Sequence, residues 1–350
     1  MPSKPAPRSS RPVHDADPSV GHRPRYDLKT IQLLLRGGEG ARALRIMGDR
    51  WSLLILRDVF LGVRRFEDLR RLTGAARGTL TSRLNALVEI GILYRNPYQH
   101  APVRHEYRLT DKGLALYPMA MMLWTWESKW GGRHKLPAQL VHKACGSTMV
   151  PQLACRHCHE LIEPRNVSFS PGPGLGGRLA EPVRYRRRDG AARREADRSF
   201  EHVVDIVGDQ WATLIIAAIM YRVRRYDEMH KVLGVATNIL AERLKRLERS
   251  GVIQRLRYQE HPPRYEYRLT PKGLDLYGAI AALHNWAERW IAGPAGPVLE
   301  LRHLPCGKML ETMLVCSACG GALDPYQVGV EAGRGWTAAR KRPANGATAG

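Results

Sequence analysis

The chain has 350 residues, and 55 Lys and Arg against 33 Asp and Glu give it a formal net charge of +22. Such an excess of positive charge favours a polyanionic partner. At 44% hydrophobic residues, the chain can also build the cores of about two or three domains, which excludes a basic protein disordered throughout. No apolar run approaches the roughly 18 residues that span a bilayer, and the basic start has no apolar secretion segment, so we expect neither a membrane protein nor a secreted one.

The cysteine content points to a reducing compartment. Six cysteines in 350 residues are too few for a disulfide scaffold. Their spacing favours metal binding over oxidation. We therefore expect the protein to work in the cytoplasm.

The chain repeats itself at an offset of 160 residues. The segment GDRW (48–51) aligns with GDQW (208–211), and RHEYRLT (104–110) aligns with RYEYRLT (264–270). One inserted residue then changes the offset to 161, at which a histidine and three cysteines of each copy coincide. The sequence therefore predicts a duplicated unit, copy one and copy two, and each copy includes a cysteine cluster.

The first predicted element is a buried helix within residues 46–60. This run is strongly apolar after Gly48 and Asp49. Trp51 is expected in the core, because large aromatic side chains usually supply packing area.

Two further helices follow in the order typical of a helix-turn-helix motif. Residues 65–72 predict a short helix that breaks near Gly74, and residues 79–89 predict a second helix that stops at Gly91. The second helix carries an apolar stripe at helical spacing, formed by Leu80, Leu84 and Leu87.

After the stripe the pattern changes to a β-hairpin and then back to a helix. Residues 103–109 alternate apolar and charged side chains, which predicts a half-buried strand paired with the preceding residues. Thr110 can cap a helix that runs to about Trp130. This helix is apolar around more of its circumference than one core covers, so we expect it to pack against another copy, in the same chain or in a second chain.

A helix-turn-helix followed by a basic hairpin is a winged helix, and the motifs here are specific. They are GD-x-W, V-R-R-[FY], RL-x-x-L (83–87 and 243–247) and Y-Q-x-x-P-x-R-x-EYRLT-x-KG-L. On these motifs both copies, over 38–134 and 198–294, resemble the HxlR-type family of bacterial transcription regulators. The resemblance implies dimeric winged helices that bind duplex DNA and control their own or an adjacent promoter. Some members sense oxidants through a cysteine before the Gly-x-x-Trp start, but all six cysteines here follow Trp130.

The predicted fold class is α+β, mainly α, with two winged helix-turn-helix domains in tandem, each with a small C-terminal zinc-ribbon-like hairpin module. The expected segments, in chain order, are a disordered basic tail (1–25), winged-helix domain 1 (38–134), zinc-ribbon-like module 1 (139–163), a linker with a basic helical lead-in (164–197), winged-helix domain 2 (198–294), zinc-ribbon-like module 2 (299–326) and a disordered tail (331–350).

The N-terminal part of each recognition helix is expected to face base edges in the major groove. The candidates are Arg77, Thr79, Thr81, Ser82 and Asn85 in copy one, and Thr237, Asn238, Ala241, Glu242 and Lys245 in copy two. Arg can read guanine and Asn can read adenine, whereas Glu242 can accept only from a donor such as cytosine N4. We therefore expect an asymmetric operator with two unlike half-sites about one helical turn (~34 Å) apart.

The two wings are expected to contact phosphates. The arginine candidates are Arg95, Arg104, Arg255, Arg257 and Arg264, and the helpers are Tyr98, Gln99, Tyr258 and Gln259. For any single one of these arginines, an ordinary solvated surface position explains the residue as well as a phosphate contact does. For Arg83 and Arg243, beside the leucine stripe, we favour a structural pair with a carboxylate such as Glu106 or Glu266.

Both copies carry the pattern H-x2-C-G-x8-C-x2-C, formed by His142, Cys145, Cys155 and Cys158 and by His303, Cys306, Cys316 and Cys319. Two ligands separated by two residues can turn towards one ion, so two such pairs joined by a hairpin predict a zinc ribbon within each copy. The expected cofactor is two structural zinc ions, each bound by three sulfurs and one nitrogen. Reduced metal-free cysteines and a redox-labile pair are the alternatives, and His157 and His159 compete with His142 as nitrogen ligand. A closed site has no position for substrate, so its expected role is to fold a small module.

The leading hypothesis is a sequence-specific regulator of double-stranded operator or promoter DNA, expected to be a repressor, in which one chain supplies two winged helices. A homodimer that forms through the helices after the wings would supply four winged helices. The alternative is an architectural or partner-docking protein that binds DNA without preference. An enzyme is disfavoured, because the sequence contains no phosphate-cradling glycine motif, no nucleophile constellation and no HExxH.

Overall fold

The computed structural model of the chain describes residues 26–131, 138–176 and 200–332. The predicted tail over 1–25 lies outside these residues, as do 132–137, 177–199 and the part of the second tail from 333 onwards. Copy one contains, in order, α1 (Leu28–Gly37), α2 (Glu39–Met47), α3 (Arg50–Phe60), α4 (Phe66–Thr73), α5 (Arg77–Glu89), β1 (Leu93–His100), β2 (Val103–Leu109), α6 (Asp111–Leu114), α7 (Tyr117–Trp130), β3 (Ala138–His142), β4 (Thr148–Met149), β5 (Pro151–Cys155) and β6 (Val167–Pro171).

Copy two repeats this order beginning with α8, which is the counterpart of α2. It contains α8 (Glu201–Val207), α9 (Gln210–Met220), α10 (Tyr226–Leu233), α11 (Thr237–Arg249), β7 (Ile253–Gln259), β8 (Arg264–Leu269), α12 (Pro271–Leu274), α13 (Tyr277–Ile291), β9 (Leu299–His303), β10 (Thr312–Cys316) and β11 (Val328–Ala332). The predicted α+β fold, mainly α, with two winged helix-turn-helix units is confirmed. In the described part of the chain, no helix is long and apolar enough to cross a membrane.

The helix-turn-helix of copy one follows the sequence pattern closely. Helix α4 is followed by Gly74, which adopts a left-handed conformation (φ +69°) that glycine tolerates without strain. Helix α5 begins at Arg77, two residues earlier than predicted, and the predicted stripe of Leu80, Leu84 and Leu87 is completely buried. Trp51 packs against the core at its edge and remains half-buried.

The hairpin corrects one prediction. Val103 is 62% exposed and His105 is exposed, whereas Glu106 is only 7% exposed. The buried carboxylate of Glu106 accepts hydrogen bonds from Asn96 Nδ2 at 3.0 Å and from Arg108 Nε at 2.6 Å. Alternation predicts burial only where a strand lies against a core, and the outer half of this hairpin extends beyond it.

The helix after the wing is interrupted and then packs against the other copy. The Thr110 hydroxyl accepts from the Gly113 amide, as the capping prediction requires, but α6 ends at Leu114 and α7 begins at Tyr117. Helix α7 packs against α13 of the same chain. Trp126 Nε1 donates to the Lys272 carbonyl and Trp286 Nε1 donates to the Lys112 carbonyl, both at 2.8 Å. The excess apolar surface is therefore covered within the chain, and no second chain is needed to cover it.

The strands that follow the winged helices exchange partners between the copies. Strand β5 pairs with β10, β3 pairs with β11, and β6 pairs with β9, all antiparallel. The prediction of a linker over 164–197 is therefore wrong for β6, and the tail predicted from 331 is wrong for the last two residues of β11. Period-2 patterning is too weak in five-residue strands to reveal pairing with a partner more than 130 residues away.

Helix α1 was not predicted from the sequence. Asp27 caps it by accepting from the Thr30 amide at 2.7 Å, and Ile31, Leu34 and Leu35 are buried. Although α1 is the first helix of copy one, it packs against α10 of copy two, where Gln32 Nε2 donates to the Lys231 carbonyl at 3.1 Å. The two copies are thus interlocked at both ends of copy one.

Candidate DNA interface and metal centres

The predicted base-reading residues of copy one lie on one exposed face of α5. Thr81, Ser82 and Asn85 are exposed, and Thr79 is half-buried. Arg77 is mostly exposed and lies 3.3 Å from Glu67 of α4. Asn85 meets the wing, because Arg95 Nη2 donates to its Oδ1 at 2.6 Å. This bond leaves the Asn85 amide nitrogen as the group that can donate to a base.

The equivalent face of α11 in copy two carries different chemistry. Thr237, Asn238, Glu242 and Lys245 are all exposed. The Glu242 carboxylate lies 2.7 Å from Arg243 Nη1. On this side the wing arginine Arg255 faces Glu248 of α11, at 3.7 Å, rather than an amide. The positions occupied by Thr81, Ser82 and Asn85 in copy one are Ala241, Glu242 and Lys245 here, so the two faces differ in charge as well as shape.

The wing tips are alike in the two copies and are organised by contacts that the sequence did not predict. Tyr98 and Tyr258 are each 40% exposed. The Arg65 guanidinium lies 4.8 Å from the Tyr98 ring centroid, and that of Arg225 lies 4.6 Å from the Tyr258 ring. These arginines come from the V-R-R-[FY] motif, which marks them by sequence but not by position in space. They add a positive charge to the base of each wing.

Not every predicted wing residue is free to reach DNA. The side-chain amides of Gln99 and Gln259 donate to the carbonyls of Ala101 and His261, each at 3.1 Å, and hold the tip of the hairpin. Arg257 lies 3.1 Å from Glu260. The more direct phosphate candidates are Arg104 and Arg264, which are exposed on the second strand of each wing.

Arg83 and Arg243 are structural, but their partners differ from those predicted. Arg83 Nε lies 3.3 Å from Asp49 Oδ1, and Arg243 Nε lies 2.5 Å from Asp209 Oδ2. Glu106 is not the partner of Arg83, because Asn96 and Arg108 already occupy its carboxylate. The GD-x-W aspartate therefore ties each recognition helix to the helix that it caps, α3 in copy one and α9 in copy two.

The two aspartates also meet near the junction of the copies. Asp49 accepts from the amides of Trp51 and Ser52 and caps α3. Asp209 caps α9 in the same way, and the two residues form an isolated antiparallel bridge with each other. Arg50 extends this junction by pairing with Asp205 and, at 3.2 Å, with Glu201 of copy two. The recognition helices are thus joined through a short chain of caps and ion pairs.

The metal-ligand candidates form two clusters, but not the predicted ones. The prediction of one site within each copy is wrong, because each cluster combines the H-x2-C pair of one copy with the C-x2-C pair of the other. The clusters are His142, Cys145, Cys316 and Cys319 (centre A) and Cys155, Cys158, His303 and Cys306 (centre B).

The strand topology explains this exchange. Strands β3 and β4 form a short hairpin, but the chain then continues as β5 and carries Cys155 away from Cys145. Strands β5 and β10 run antiparallel, and Cys155 pairs with Thr312 while Cys316 pairs with Pro151. The two C-x2-C pairs therefore lie at opposite ends of the β5–β10 ladder, each beside the first ligand pair of the other copy.

The distances within each cluster suit a tetrahedral ion. The four ligand atoms all lie within 4.8 Å of one another. The Sγ atoms of Cys145 and Cys316 are 4.0 Å apart, and those of Cys155 and Cys306 are 3.9 Å apart. His142 Nδ1 lies 3.3 Å from Cys319 Sγ, and His303 Nδ1 lies 3.3 Å from Cys158 Sγ. A tetrahedral zinc ion with bonds of about 2.3 Å to sulfur requires S···S edges of about 3.8 Å, so three sulfurs and one nitrogen fit.

The surroundings favour the metal-binding forms of Cys145, Cys306 and His303, whereas burial and the neighbouring cysteines raise the pKa values of Cys158 and Cys319. A hydrogen bond from the Ser147 amide lowers the pKa of the Cys145 thiol to about 6, and the Lys308 amide lowers the pKa of Cys306. Burial lowers the pKa of His303. Thiolates and neutral imidazole are the species that coordinate metal.

The turns after the ligand pairs show whether His157 or His159 takes the place of His142 as a nitrogen ligand. Gly146, Gly307 and Gly320 each follow a cysteine of a ligand pair and have φ between +66° and +70°, a conformation that glycine adopts without strain. In the fourth turn His159 takes this conformation (φ +64°), and neither it nor His157 belongs to a cluster. His157 lies 3.6 Å from Glu311 instead.

Comparison with known proteins places these features in context. The HxlR-like helix-turn-helix family matches the chain twice, over residues 46–135 and 206–294. The uncharacterized HTH-type transcriptional regulator Rv3095 of Mycobacterium tuberculosis is 47% identical over 145 residues, 41% of this chain and 92% of that protein. The uncharacterized HTH-type transcriptional regulator YvaP of Bacillus subtilis is 38% identical over 93 residues, 26% of this chain and 86% of that protein. The crystal structure of diamide-treated YodB from B. subtilis shares 29% identity, covers 27% of this chain and 94% of its own, and has a TM-score of 0.24.

Proposed function

Since the chain belongs to the HxlR-like helix-turn-helix family of transcription regulators, we propose that it is a sequence-specific repressor whose two winged helices read two unlike half-sites of one double-stranded operator. The observation that carries this proposal is the union of two different recognition faces in one chain. Helices α7 and α13 hold the copies together through the reciprocal bonds of Trp126 and Trp286. A winged helix seated on promoter DNA represses by excluding the transcription machinery.

The unlike faces support an asymmetric operator. Asn85 can pair bidentately with adenine by donating from Nδ2 and accepting at Oδ1, because an amide oxygen has a second lone pair beside the one that accepts from Arg95. Glu242 can accept from cytosine N4, and Lys245 can donate to guanine or to a phosphate. Because these residues occupy equivalent positions at an offset of 160, the two helices favour different bases at the same place in the two half-sites.

The experiment that tests the proposal is binding of the full chain to its own upstream DNA, measured by fluorescence anisotropy, followed by footprinting. We expect binding that survives unrelated competitor DNA, and two protected half-sites of different sequence about one helical turn apart. Binding that is equal on every sequence and lost in modest salt would support the architectural alternative. A perfect palindrome, protected equally on both halves, would contradict the unlike half-sites.

Substitution of the exposed wing arginines should lower the salt dependence of binding. Arg104→Ala and Arg264→Ala each remove one candidate phosphate contact, so each should reduce the slope of log K against log salt by about 0.9. The preference between operator and unrelated DNA should change little, because phosphate contacts carry no base information. Arg156→Ala is the matched control, since Arg156 is exposed but follows β5 in the β module, which we define as strands β3–β6 and β9–β11 with their turns. An unchanged slope in both wing variants would remove these residues from the interface.

The metal proposal is that both centres hold zinc in a structural role and join the copies. The support is the donor set of three sulfurs and one histidine nitrogen at tetrahedral spacing. A bound ion would supply a cross-link between the H-x2-C pair of one copy and the C-x2-C pair of the other. The residues Cys145, Cys316 and their equivalents would thereby help to fix the distance between the two recognition helices.

A further inference from the structure

An apolar cavity of about 80 Å³ lies at the junction of the copies, apart from the DNA face and the metal centres. Its walls come from α1 and α2 of copy one, from α9 and α13 of copy two, and from β6 and β9. Among its lining side chains are Leu35, Phe169, Ala217, Met220 and His284. Cavities of this kind, apolar with a few polar groups, are the usual form of small-molecule sites.

The cavity coincides with smaller side chains in copy two. At the offset of 160, His284 corresponds to Trp124 and Met220 corresponds to Phe60. In copy one the Trp124 ring packs 6.4 Å from the ring of Phe200. The replacement of Trp124 by His284 and of Phe60 by Met220 removes side-chain volume beside the cavity, while two other lining residues, Tyr221 and Ile280, are larger than their counterparts Leu61 and Ala120.

Ala217 adds to the difference in side-chain size between the two copies, because its counterpart in copy one is Arg57. The Arg57 side chain is 5% exposed and lies 2.9 Å from the completely buried Asp58 carboxylate. Copy two has alanine at both of these positions, 217 and 218. Thr213 and Ala281 are also smaller than their counterparts Leu53 and Met121, so five lining side chains on α9 and α13 are smaller than those of copy one.

Polar side chains in the cavity wall come from Ser168, Thr213, Tyr221, Tyr277 and His284, and among these described residues His284 has a buried atom that makes no hydrogen bond. The residue is 6% exposed, and within the described part of the chain its Nε2 atom makes no hydrogen bond, although Glu288 Oε1 lies 3.3 Å away. A buried nitrogen without a hydrogen-bond partner is unfavourable, and a ligand hydroxyl that can both donate and accept satisfies either tautomer of the imidazole.

The volume limits the size of such a ligand. It is about half of the ~150 Å³ that holds benzene in an engineered cavity. A single ring therefore fits only if a wall moves, and Met220 has the unbranched, flexible side chain that adapts most readily. Two fused rings are too large for this space.

The walls of the cavity connect it to one recognition helix. Helix α1 lines the cavity and also contacts α10, where Gln32 donates to the Lys231 carbonyl. Arg36 of α1 packs beside Gly234, which joins α10 to α11. A ligand that separates α1 from α9 therefore changes the support of the copy two recognition helix.

We propose that this cavity binds a small single-ring molecule with one hydroxyl-like group, and that occupancy changes the affinity of copy two for DNA. The proposed binding site depends only on the cavity and on His284. Only its effect on DNA rests on the proposed function, so the two parts are tested separately.

The first test uses phenol, benzene and 1-naphthol as probes of the metal-loaded full chain, with binding followed by ligand-observed NMR and by the thermal midpoint. We expect saturable phenol binding at one site per chain, about tenfold tighter than benzene, which is the effect of about one hydrogen bond. Naphthol should not bind saturably. Absence of saturable phenol binding to the folded protein would overturn the site.

Two variants assign the binding to the cavity. His284→Trp introduces the copy one residue and should abolish phenol binding by filling the space. His284→Phe keeps a ring without a nitrogen and should reduce phenol affinity about tenfold, to that of benzene, which also keeps the proposal testable if the tryptophan variant does not fold. His100→Trp, at an exposed position of β1, is the control and should bind phenol normally. Unchanged phenol affinity in the folded His284 variants would contradict the assignment.

The second test measures operator affinity with and without saturating phenol. We expect a change in the wild-type chain and none in His284→Trp. Saturable phenol binding with unchanged operator affinity would overturn the coupling to DNA. A chain that binds phenol but no specific DNA would contradict the proposed function and leave the ligand site established.

Discussion

A double variant in which Cys145 and Cys316 are both replaced by serine should keep one bound metal ion per chain. A double variant in which Cys145 and Cys155 are both replaced by serine should keep none. The first pair belongs to centre A alone, although its members come from different copies. The second pair comes from one copy, but it removes one ligand from centre A and one from centre B. Metal content per chain, measured by elemental analysis after extensive dialysis, distinguishes the two arrangements.

The single variants provide the controls for this experiment. Cys145→Ser and Cys155→Ser should each retain one ion of the two bound by the wild-type chain. His157→Ala should retain both, because His157 lies next to a ligand but outside both clusters. The opposite result for the two double variants, with none left after the first and one after the second, would restore closure within each copy and contradict the exchanged strands.

Removal of both ions should destabilise the β module severely, since structural zinc contributes on the order of 10–16 kcal/mol in small zinc-binding modules at pH 7. The loss should also reach the DNA interface, because both centres join the two copies. A chelator should therefore lower operator affinity and broaden the thermal transition. Retention of full operator affinity by the metal-free chain would contradict this coupling.

Replacing Asp209 with alanine should lower the free energy of unfolding of copy two by about 3 kcal/mol. The carboxylate caps α9 through the amides of Trp211 and Ala212, and loss of such a cap costs about 1 kcal/mol. The change also removes the 2.5 Å partner of Arg243 Nε, so that the nearly buried guanidinium retains only the more exposed Glu242, at 2.7 Å, of these two carboxylates, which costs roughly 1–3 kcal/mol. Urea unfolding of the metal-loaded chain, followed by circular dichroism, measures the loss.

Two further substitutions separate the contributions of Asp209. Asp209→Asn keeps an oxygen that can cap α9 but removes the charge, so it should produce an intermediate loss. Asp227→Ala, at an exposed position in the first turn of α10, should cost less than about 1 kcal/mol. Equal stability of Asp209→Ala and Asp227→Ala would show that the GD-x-W aspartate does not brace the recognition helix.

The site was predictable to the extent that its chemistry is local. The eight ligands could be named because cysteine and histidine pairs separated by two residues have few other uses in a reducing compartment. The recognition-helix residues could be named because Leu80, Leu84 and Leu87 mark the buried face and leave the opposite face to solvent. Arg65 and Arg225 were missed, because nothing in the chain order shows that they stack on tyrosines more than 30 residues away.

The partners of the predicted residues were less predictable. Arg83 was expected beside Glu106, but Glu106 is satisfied within the wing and Asp49 approaches from the start of α3. Helix α1 was missed because it packs mainly against α10 of copy two, a contact that its own apolar pattern does not reveal. In each case the competing contacts come from different elements, and side-chain periodicity carries no information about which of them wins.

The sequence by itself determined the duplication, the helix-turn-helix and wing of each copy, and the identity of the candidate metal ligands. Caps, turn glycines and apolar stripes act over a few neighbouring residues, so their effects are already present in the order of the chain. Only the tertiary structure decided that each metal centre takes two ligands from each copy and that α7 and α13 cover each other. Because the two ligand motifs are nearly identical, the local pattern is the same whether the four ligands of a cluster come from one copy or from both copies. The long-range pairing of β5 with β10 selects the second arrangement.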